Sequence, residues 1–459
     1  MKRIQIIMIS LFFLILLVPL VTFNFEKNSI SEIDNRLLAE NPFAEEGDLT
    51  ENIENYINDR LGLRDKMILS YTVLNDRIFH KMVHPSYEYG KDGYVFGAGL
   101  TTDVAYNEYH EAFADMVKEI QTYCEEREVP FLFVFDPAKP AVLTEYLPKG
   151  INYDRQWVED FMTSLEERDV RYIDNTSLLR DKTEKGEVVY NMKYDANHWN
   201  DLGAYYGTNA MLRELQKDFP SIHINQEEEL IMEEELMTSL PVSEFPIHEY
   251  VPKISFDAAL NEDMTAVYNE ELERNSSYTA FGYISNLDRL EENAPRVLVF
   301  QGSFMNNLGY KYLANGFGEY VYVHSYQNVM DFSYYFNIFQ PECVIFEVAE
   351  YTFSDTYFDY EDMVSMELNP VLASVKDFPE QKRTLIPENV TIEQGEILTK
   401  ICWQESDVSG CAWLSLDRDY DMKKTETGYE VTVLTENYLK YRDDLVITVW
   451  DESSLFCYE

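Results

Sequence analysis

Pro130-Phe-Leu-Phe-Val-Phe135 is apolar on both faces and too short for a helix, the pattern of a strand buried in the middle of a parallel sheet. Ahead of it, Tyr109, Phe113, Met116, Val117, Ile120 and Cys124 recur every three or four residues, the stripe of a helix with one inward face. The alternation continues downstream. Trp157, Phe161, Met162 and Leu165 stripe a second helix, residues 170–173 make a short strand, and residues 202–215 a further helix. Arg296-Val-Leu-Val-Phe300, residues 320–323 and residues 343–346 are strands separated by helix-length segments. Strands alternating with helices produce crossovers and a parallel sheet covered on both sides, so the spacing predicts an α/β core.

Working outward, residues 28–100 read as a juxtamembrane lead-in and the start of the α/β domain, with Gly90 and Gly93 bracketing Lys91-Asp92 as a hairpin turn would. The α/β domain proper is expected over 101–384. It is interrupted at about 220–290 by an acidic insertion containing Glu227-Glu-Glu-Leu-Ile-Met-Glu-Glu-Glu235, a charge run that reads as a solvated face. Alternating residues at 412–416, 429–434 and 445–450 predict antiparallel strands, hence a small C-terminal β domain over 385–459.

The 459 residues carry 37 Lys+Arg against 83 Asp+Glu, a formal charge of −46, which excludes a nucleic-acid binder working through bulk positive charge. A hydrophobic fraction of 46% excludes a disordered acidic chain, because that much apolar area offsets the entropy of ordering. Lys2 and Arg3 precede an almost uninterrupted apolar stretch from Ile4 to Phe23, about 30 Å as a helix, so residues 1–27 read as an uncleaved signal anchor. The charged end stays cytoplasmic and the body faces outward, a single-pass cell-membrane protein with an extracellular domain. A cleaved signal peptide is the rival reading. The five cysteines predict no disulfide framework, although Cys402 and Cys411 are close enough in sequence to pair, and no cluster has metal-ligand spacing.

In a parallel sheet the working residues sit just past the carboxyl ends of strands. Gln301-Gly-Ser-Phe-Met305 follows one such strand and places Ser303 on a strand-to-helix turn, where Gly302 eases the bend and N–H groups could hold an oxyanion. Taken alone, such a serine reads as a helix cap before it reads as a nucleophile. Upstream, Asp195-Ala-Asn-His198-Trp-Asn-Asp-Leu-Gly203 sets a carboxylate three residues before a histidine, able to hold Nδ1–H and leave Nε2 as a base; a structural His–Asp contact is the alternative. Joined, Ser303, His198 and Asp195 have the logic of acyl transfer.

Asp195-x-x-His198 with a Gly-Ser turn resembles the SGNH hydrolase superfamily. The base preceding the nucleophile resembles its permuted branch, the AlgX/AlgJ-type polysaccharide O-acetyltransferases and the DHHW proteins. The likeness runs from about residue 32 to 355. Asp34-Asn-Arg-Leu-Leu38 is similar to the family's E-N-R-x-L, and residues 56–65 to its Y-x-x-D-R/H-x-x-x-R-D. Gly90 to Phe96 is similar to G-K-D-G-W-L-F, and Asp136-Pro-Ala-Lys139 with Tyr146-Leu-Pro148 to its post-strand segment. Asp195 and His198 to Ala204 correspond to D-x-H-W-N-x-x-G-A with one extra residue, and Pro341 to Ile345 with Glu350 to its last strand. Two positions differ: Gly302 stands where the family has the Asp of G-D-S-F, and Tyr351 where it tends to carry Arg.

The resemblance implies an SGNH-like, flavodoxin-like sheet and a cofactor-free transfer of an acetyl group through an acyl-serine onto a hydroxyl of an extracellular polysaccharide. Ser303 is then nucleophile, His198 base and Asp195 its orienting carboxylate; the implied acetyl donor is a membrane acyl-carrier acyltransferase. Gly302, Asn306, Trp199 and Asn200 are the oxyanion or substrate-binding candidates, with Asn307 beside them. Tyr87, Tyr89 and Trp199 can stack on sugar faces, though ordinary packing is the first reading of each; the tail, with Trp403, Trp413 and Trp450, either binds glycan or covers a sheet edge. A non-catalytic scaffold of a polysaccharide-modifying complex and a carbohydrate O-acetyl esterase are the alternative functions.

Overall fold

The structure is a computed structural model that describes every residue except 1, 28, 32, 34, 35, 44–47, 100–103, 242–244, 257–260, 275–279 and 406–408. Asp34 and Asn35 of the opening pattern lie outside the described residues, as does the expected boundary at residues 100 and 101. The helices that matter below are α1 Lys2–Val21, α2 Leu49–Arg60, α3 Arg64–Phe79, α4 Glu108–Glu126, α5 Gln156–Glu167, α6 Asp201–Leu215, α7 Tyr310–Gly316 and α8 Phe332–Phe339. Within α1, Arg3–Val21 is long and apolar enough to cross a membrane and is not buried against the body, as fits a single-pass anchor or a signal sequence.

Seven strands build the central sheet: β1 Phe131–Asp136, β2 Tyr172–Asp174, β3 Asn261–Asp263, β4 Phe281–Asn286, β5 Arg296–Gln301, β6 Glu319–His324 and β7 Cys343–Ala349. Their order is β2-β1-β7-β5-β6-β4-β3. The first five run parallel, whereas β4 pairs antiparallel with β6 and β3. Counted from β5, the parallel part reads 2-1-3-4-5, the doubly wound order with the chain entered part-way round. The order therefore reverses between β5 and β7, the switch point beyond whose carboxyl strand ends doubly wound sheets place their working residues.

Period-two alternation divides each strand between two cores. Phe131, Phe133 and Phe135 pack with α4, α5 and α8, while Leu132 and Val134 pack with α6 and α7. Both faces are covered, which is why β1 shows no polar alternation. The helix before it starts where the Asn107 side chain accepts the Tyr109 N–H, and it buries Phe113, Val117, Ile120 and Cys124.

Within 220–290, Leu230–Ser239 and Pro246–Phe256 form a long two-stranded hairpin along which Glu233, Glu234 and Glu235 are exposed. Strands β3 and β4 from the same stretch belong to the central sheet. The edge strand β3 is Asn-Glu-Asp and exposed, whereas β4, one strand in, is buried along most of its length.

The tail forms an eight-stranded, mostly antiparallel sheet from Glu380–Arg383 to Leu455–Tyr458. It docks on α4 and α8 through Asp421, which receives the Arg127 guanidinium at 2.9 Å and the Tyr123 hydroxyl, and through Asn337 Nδ2, which donates to the Asp421 carbonyl. Cys402 and Cys411 are free thiols, as are the other three cysteines. Trp403 and Trp413 are buried in or beneath this sheet, so of their two readings packing is the one that holds.

Candidate active site

Ser303 follows β5 by two residues and opens the helical segment that runs on to α7, so its backbone N–H has no intrahelical acceptor. Just beyond it the helix widens into a π turn over Met305–Gly309, a geometry frequent at functional sites. The Ser303 hydroxyl lies 2.8 Å from His198 Nε2. His198 Nδ1 lies 2.9 Å from each Asp195 oxygen, which fixes its proton on Nδ1 and leaves Nε2 to accept.

Asp195 adopts a left-handed backbone conformation (φ 62°), which aspartate tolerates when its side chain bonds locally. Its Oδ1 accepts the N–H groups of Asn197 and His198 at 3.1 and 3.0 Å. Burial raises the Asp195 carboxyl, but the charge and hydrogen bonds of His198 and these N–H groups more than offset it and hold the pKa below its ordinary value. For His198, burial disfavours the charged ring; Asp195, with help from Glu347, outweighs it and lifts the imidazole above its ordinary range.

Two cross-links explain how residues 105 positions apart meet. Trp199 Nε1 donates to the Phe304 carbonyl at 3.1 Å, tying the histidine loop to the serine turn. Buried Asp201, at the start of α6, accepts from Lys311 Nζ at 2.7 Å and from the Tyr312 hydroxyl at 2.8 Å, both on α7. A glycine is required at 203, since a Cβ there would sit 2.4 Å from the Val189 carbonyl oxygen.

Several expected binding residues are otherwise engaged. Trp199 is buried and spent on Phe304, and Asn200 caps α6 by accepting the Gly203 N–H at 3.0 Å while donating to Val188. Both are buried. Tyr87 donates to the Pro241 carbonyl and Tyr89 to Asp76, so both are packing residues too. The Gly302 N–H is 2.7 Å from Glu347 Oε2 and is not free for an oxyanion. Asn306 accepts from Gln301 Nε2 at 2.6 Å through its Oδ1, so its amide nitrogen is the end of the side chain left to donate, three residues beyond Ser303.

Four residues that spacing alone did not bring into the site support it. The Tyr351 hydroxyl lies 2.6 Å from Ser303 Oγ and 2.8 Å from His198 Nε2, closing a triangle of three polar atoms. Burial pushes its pKa far up, so it stays a neutral O–H donor. Glu249, reaching in from the 246–256 strand, accepts three successive backbone N–H groups of residues 192–194 at 2.6–2.9 Å. Lys139 is fully buried and donates to the carbonyls of Val95, Met192 and Asp195 at 2.7, 3.2 and 3.2 Å. Burial pulls its pKa down to about 7 against the charges of Asp195 and Glu249. Replacing it in Lys139→Met leaves three buried carbonyls without a donor, and the expected loss is about 2–4 kcal/mol of stability in a denaturant titration, with slower acylation as the Asp195 loop loosens.

The fourth is Glu347, which shares a buried spot with Asp136 on the neighbouring strand. Asp136 Oδ2 and Glu347 Oε1 are both buried without a hydrogen-bond partner among the described residues, and the charge of Glu347 adds to burial in raising Asp136. Burial drives both upward, Asp136 well above the carboxylate range and Glu347 to about 7. Asn175 Nδ2 donates to Asp136 at 2.7 Å, and Glu347 passes the support on to the Gly302 N–H. A carboxyl thus braces the serine turn from β7 although residue 302 itself has none. A Cβ at 302 would be 3.6 Å from Glu347 Oε2, ordinary contact, so space does not require glycine there. Glu347→Gln retains an acceptor for Gly302 and is expected to keep most activity, whereas Glu347→Ala should lower kcat about tenfold or more with little change in KM.

Comparison with known proteins bears on this arrangement. Residues 88–242 match the family model of the SGNH hydrolase-like domain of the acetyltransferase AlgX. The AlgX-type segment includes Lys139, Asp195 and His198 and ends before Ser303. Similar solved structures include PatB1 of Bacillus cereus (17% identity, 60% of this chain and 98% of that one, TM-score 0.44). The O-acetyltransferase domain of Pseudomonas putida AlgJ is similar at 14% identity, over 62% of this chain and 95% of that one, with TM-score 0.41. A DHHW family protein from Eubacterium siraeum is similar at 14% identity, over 63% and 98%, with TM-score 0.43. A search of curated proteins found no match.

Proposed function

We propose that the chain is an extracytoplasmic O-acetyltransferase that passes an acetyl group through Ser303 to a hydroxyl of a cell-surface polysaccharide. The observation that carries this reading is the continuous hydrogen-bonded line from Ser303 Oγ through His198 to Asp195. His198 Nε2 takes the Ser303 proton as Oγ attacks the acetyl carbonyl carbon, and the Ser303 N–H, with the Asn306 amide, faces the developing oxyanion. The bond from that carbon to the donor's oxygen or sulfur then breaks, and the leaving group takes the proton from His198. In the second half the sugar hydroxyl gives its proton to His198 and attacks the acyl-serine; Ser303 leaves and recovers the proton. The Tyr351 O–H can donate to Ser303 Oγ while Nε2 is occupied. The N-terminal apolar helix supports placement beside a membrane acyl-carrier partner as donor.

Incubation with a chromogenic acetyl ester, followed by mass spectrometry of the Ser303 peptide, tests the first half: an increment of one acetyl group is expected on that peptide. Added oligosaccharide should then accept the group faster than water does. Release to water alone would make the protein an esterase, and a folded protein that never acylates would leave only the scaffold.

A further inference from the structure

Outside α1, the large exposed apolar side chains of the described residues are unevenly placed: twelve fall between residues 25 and 79, and fourteen in the whole of 80–459. The densest line runs along α3, where Leu63, Met67, Tyr71, Leu74 and Ile78 recur at three- and four-residue intervals and Phe79 ends the helix, all exposed. The opposite face of α3 packs inward through Thr72, Leu69 and Val73. The stripe is therefore a second apolar face, not a misplaced core.

Its position is set by hydrogen bonds to the end of the apolar span. The Gly62 N–H donates to the Pro19 carbonyl at 3.0 Å and the Asn24 N–H to the Arg60 carbonyl at 2.8 Å. Arg60 Nη1 donates to the Glu26 carbonyl at 2.6 Å. The start of α3 thus lies level with the last turn of α1, where a spanning helix leaves the hydrocarbon. Charge separates the possible occupants. Residues 64–81 hold four basic groups (Arg64, Lys66, Arg77, Lys81) and two acidic ones (Asp65, Asp76), a local +2 in a chain of −46. Two copies of so acidic a molecule repel one another, whereas a basic, aromatic-bearing amphipathic helix suits an anionic lipid surface.

We propose that the exposed face of α3 lies on the outer surface of the lipid bilayer, with Met67, Tyr71, Leu74 and Ile78 at the acyl boundary and Lys66, Arg77 and Lys81 among headgroup phosphates. The role rests on α1 as a retained anchor, which delivers α3 to the lipid. The contact is a second support that stops the body from swivelling about a single helix and fixes the height of Ser303 above the membrane.

The test reconstitutes the full chain in vesicles of phosphatidylcholine and phosphatidylglycerol, with or without brominated acyl chains, and reads tryptophan quenching. Leu74→Trp substitutes an exposed residue and Phe12→Trp marks the span; the unsubstituted chain supplies the background. Bromolipid quenching of both variants is the expected result. Quenching of Phe12→Trp alone overturns the proposal while sparing the anchor. Quenching of Leu74→Trp alone upholds the surface and sinks the anchor, and quenching of neither overturns both. A Tyr71→Cys chain that forms a covalent dimer in place of lipid contact assigns the face to a second copy and overturns the proposal as well.

Discussion

Ser303→Ala is expected to abolish acetyl-ester turnover, lowering kcat by about 10⁴-fold or more with the fold intact. The loss is large because Tyr351, the one other hydroxyl bonded to His198 Nε2 among the described residues, is held neutral far above neutral pH and does not replace the serine. Ser303 is half-buried, and its removal takes one hydroxyl from a three-membered polar triangle, so thermal unfolding should move little. The mass increment should vanish from the 303 peptide. If Ser303→Ala still turns over ester at a tenth of the native rate, the nucleophile lies elsewhere.

Asp195→Asn should lower kcat by a similar order, about 10⁴-fold, because an amide no longer selects the tautomer with the proton on Nδ1. It should also move the pH profile in a definite direction. His198 works as a base only when neutral, and Asp195 holds its pKa above the ordinary value, so native activity should rise with pH through a midpoint above that value. Removing the charge lets burial dominate, so the residual activity of Asp195→Asn should have its acid limb at lower pH. Stability follows the same linkage. The raised His198 pKa contributes stability that is full below the unfolded imidazole value and lost as pH rises through the folded one. The lowered Asp195 pKa contributes above the unfolded carboxyl value and is lost as pH falls through the folded one. A profile unchanged in Asp195→Asn would mean that the pair does not govern the base.

Much of this was legible in the chain itself. Continuous apolar runs mark β1, β5 and β7 because a strand covered on both faces has no polar side to show, and Asp195-x-x-His198 closes its hydrogen bonds within one turn. What spacing could not show was long-range. Tyr351 was visible only as an unexpected residue, and its hydroxyl meets His198 across 153 positions. Glu347 and Lys139 sit within or beside apolar runs and gain meaning only once β1 and β7 are neighbours. Glu249 comes from a hairpin whose exposed acidic partner strand looks like solvent-facing charge. Trp199 and Asn200 differ for the opposite reason: side chains that suit ligand contact are taken up inside the fold, Trp199 in tying its loop to the serine turn and Asn200 in capping α6.

The strand order has a consequence for biosynthesis. As the chain emerges, β1 and the histidine loop are made first, yet the neighbour that seals the inner edge of β1 spans residues 343–349. From residue 136 to residue 343 that edge stays unpaired, and from residue 198 to residue 303 the base waits without its nucleophile. An interrupted polypeptide is thus chemically silent and prone to join strands with its neighbours, so maturation should depend on protection at the export site until the final parallel strand is delivered.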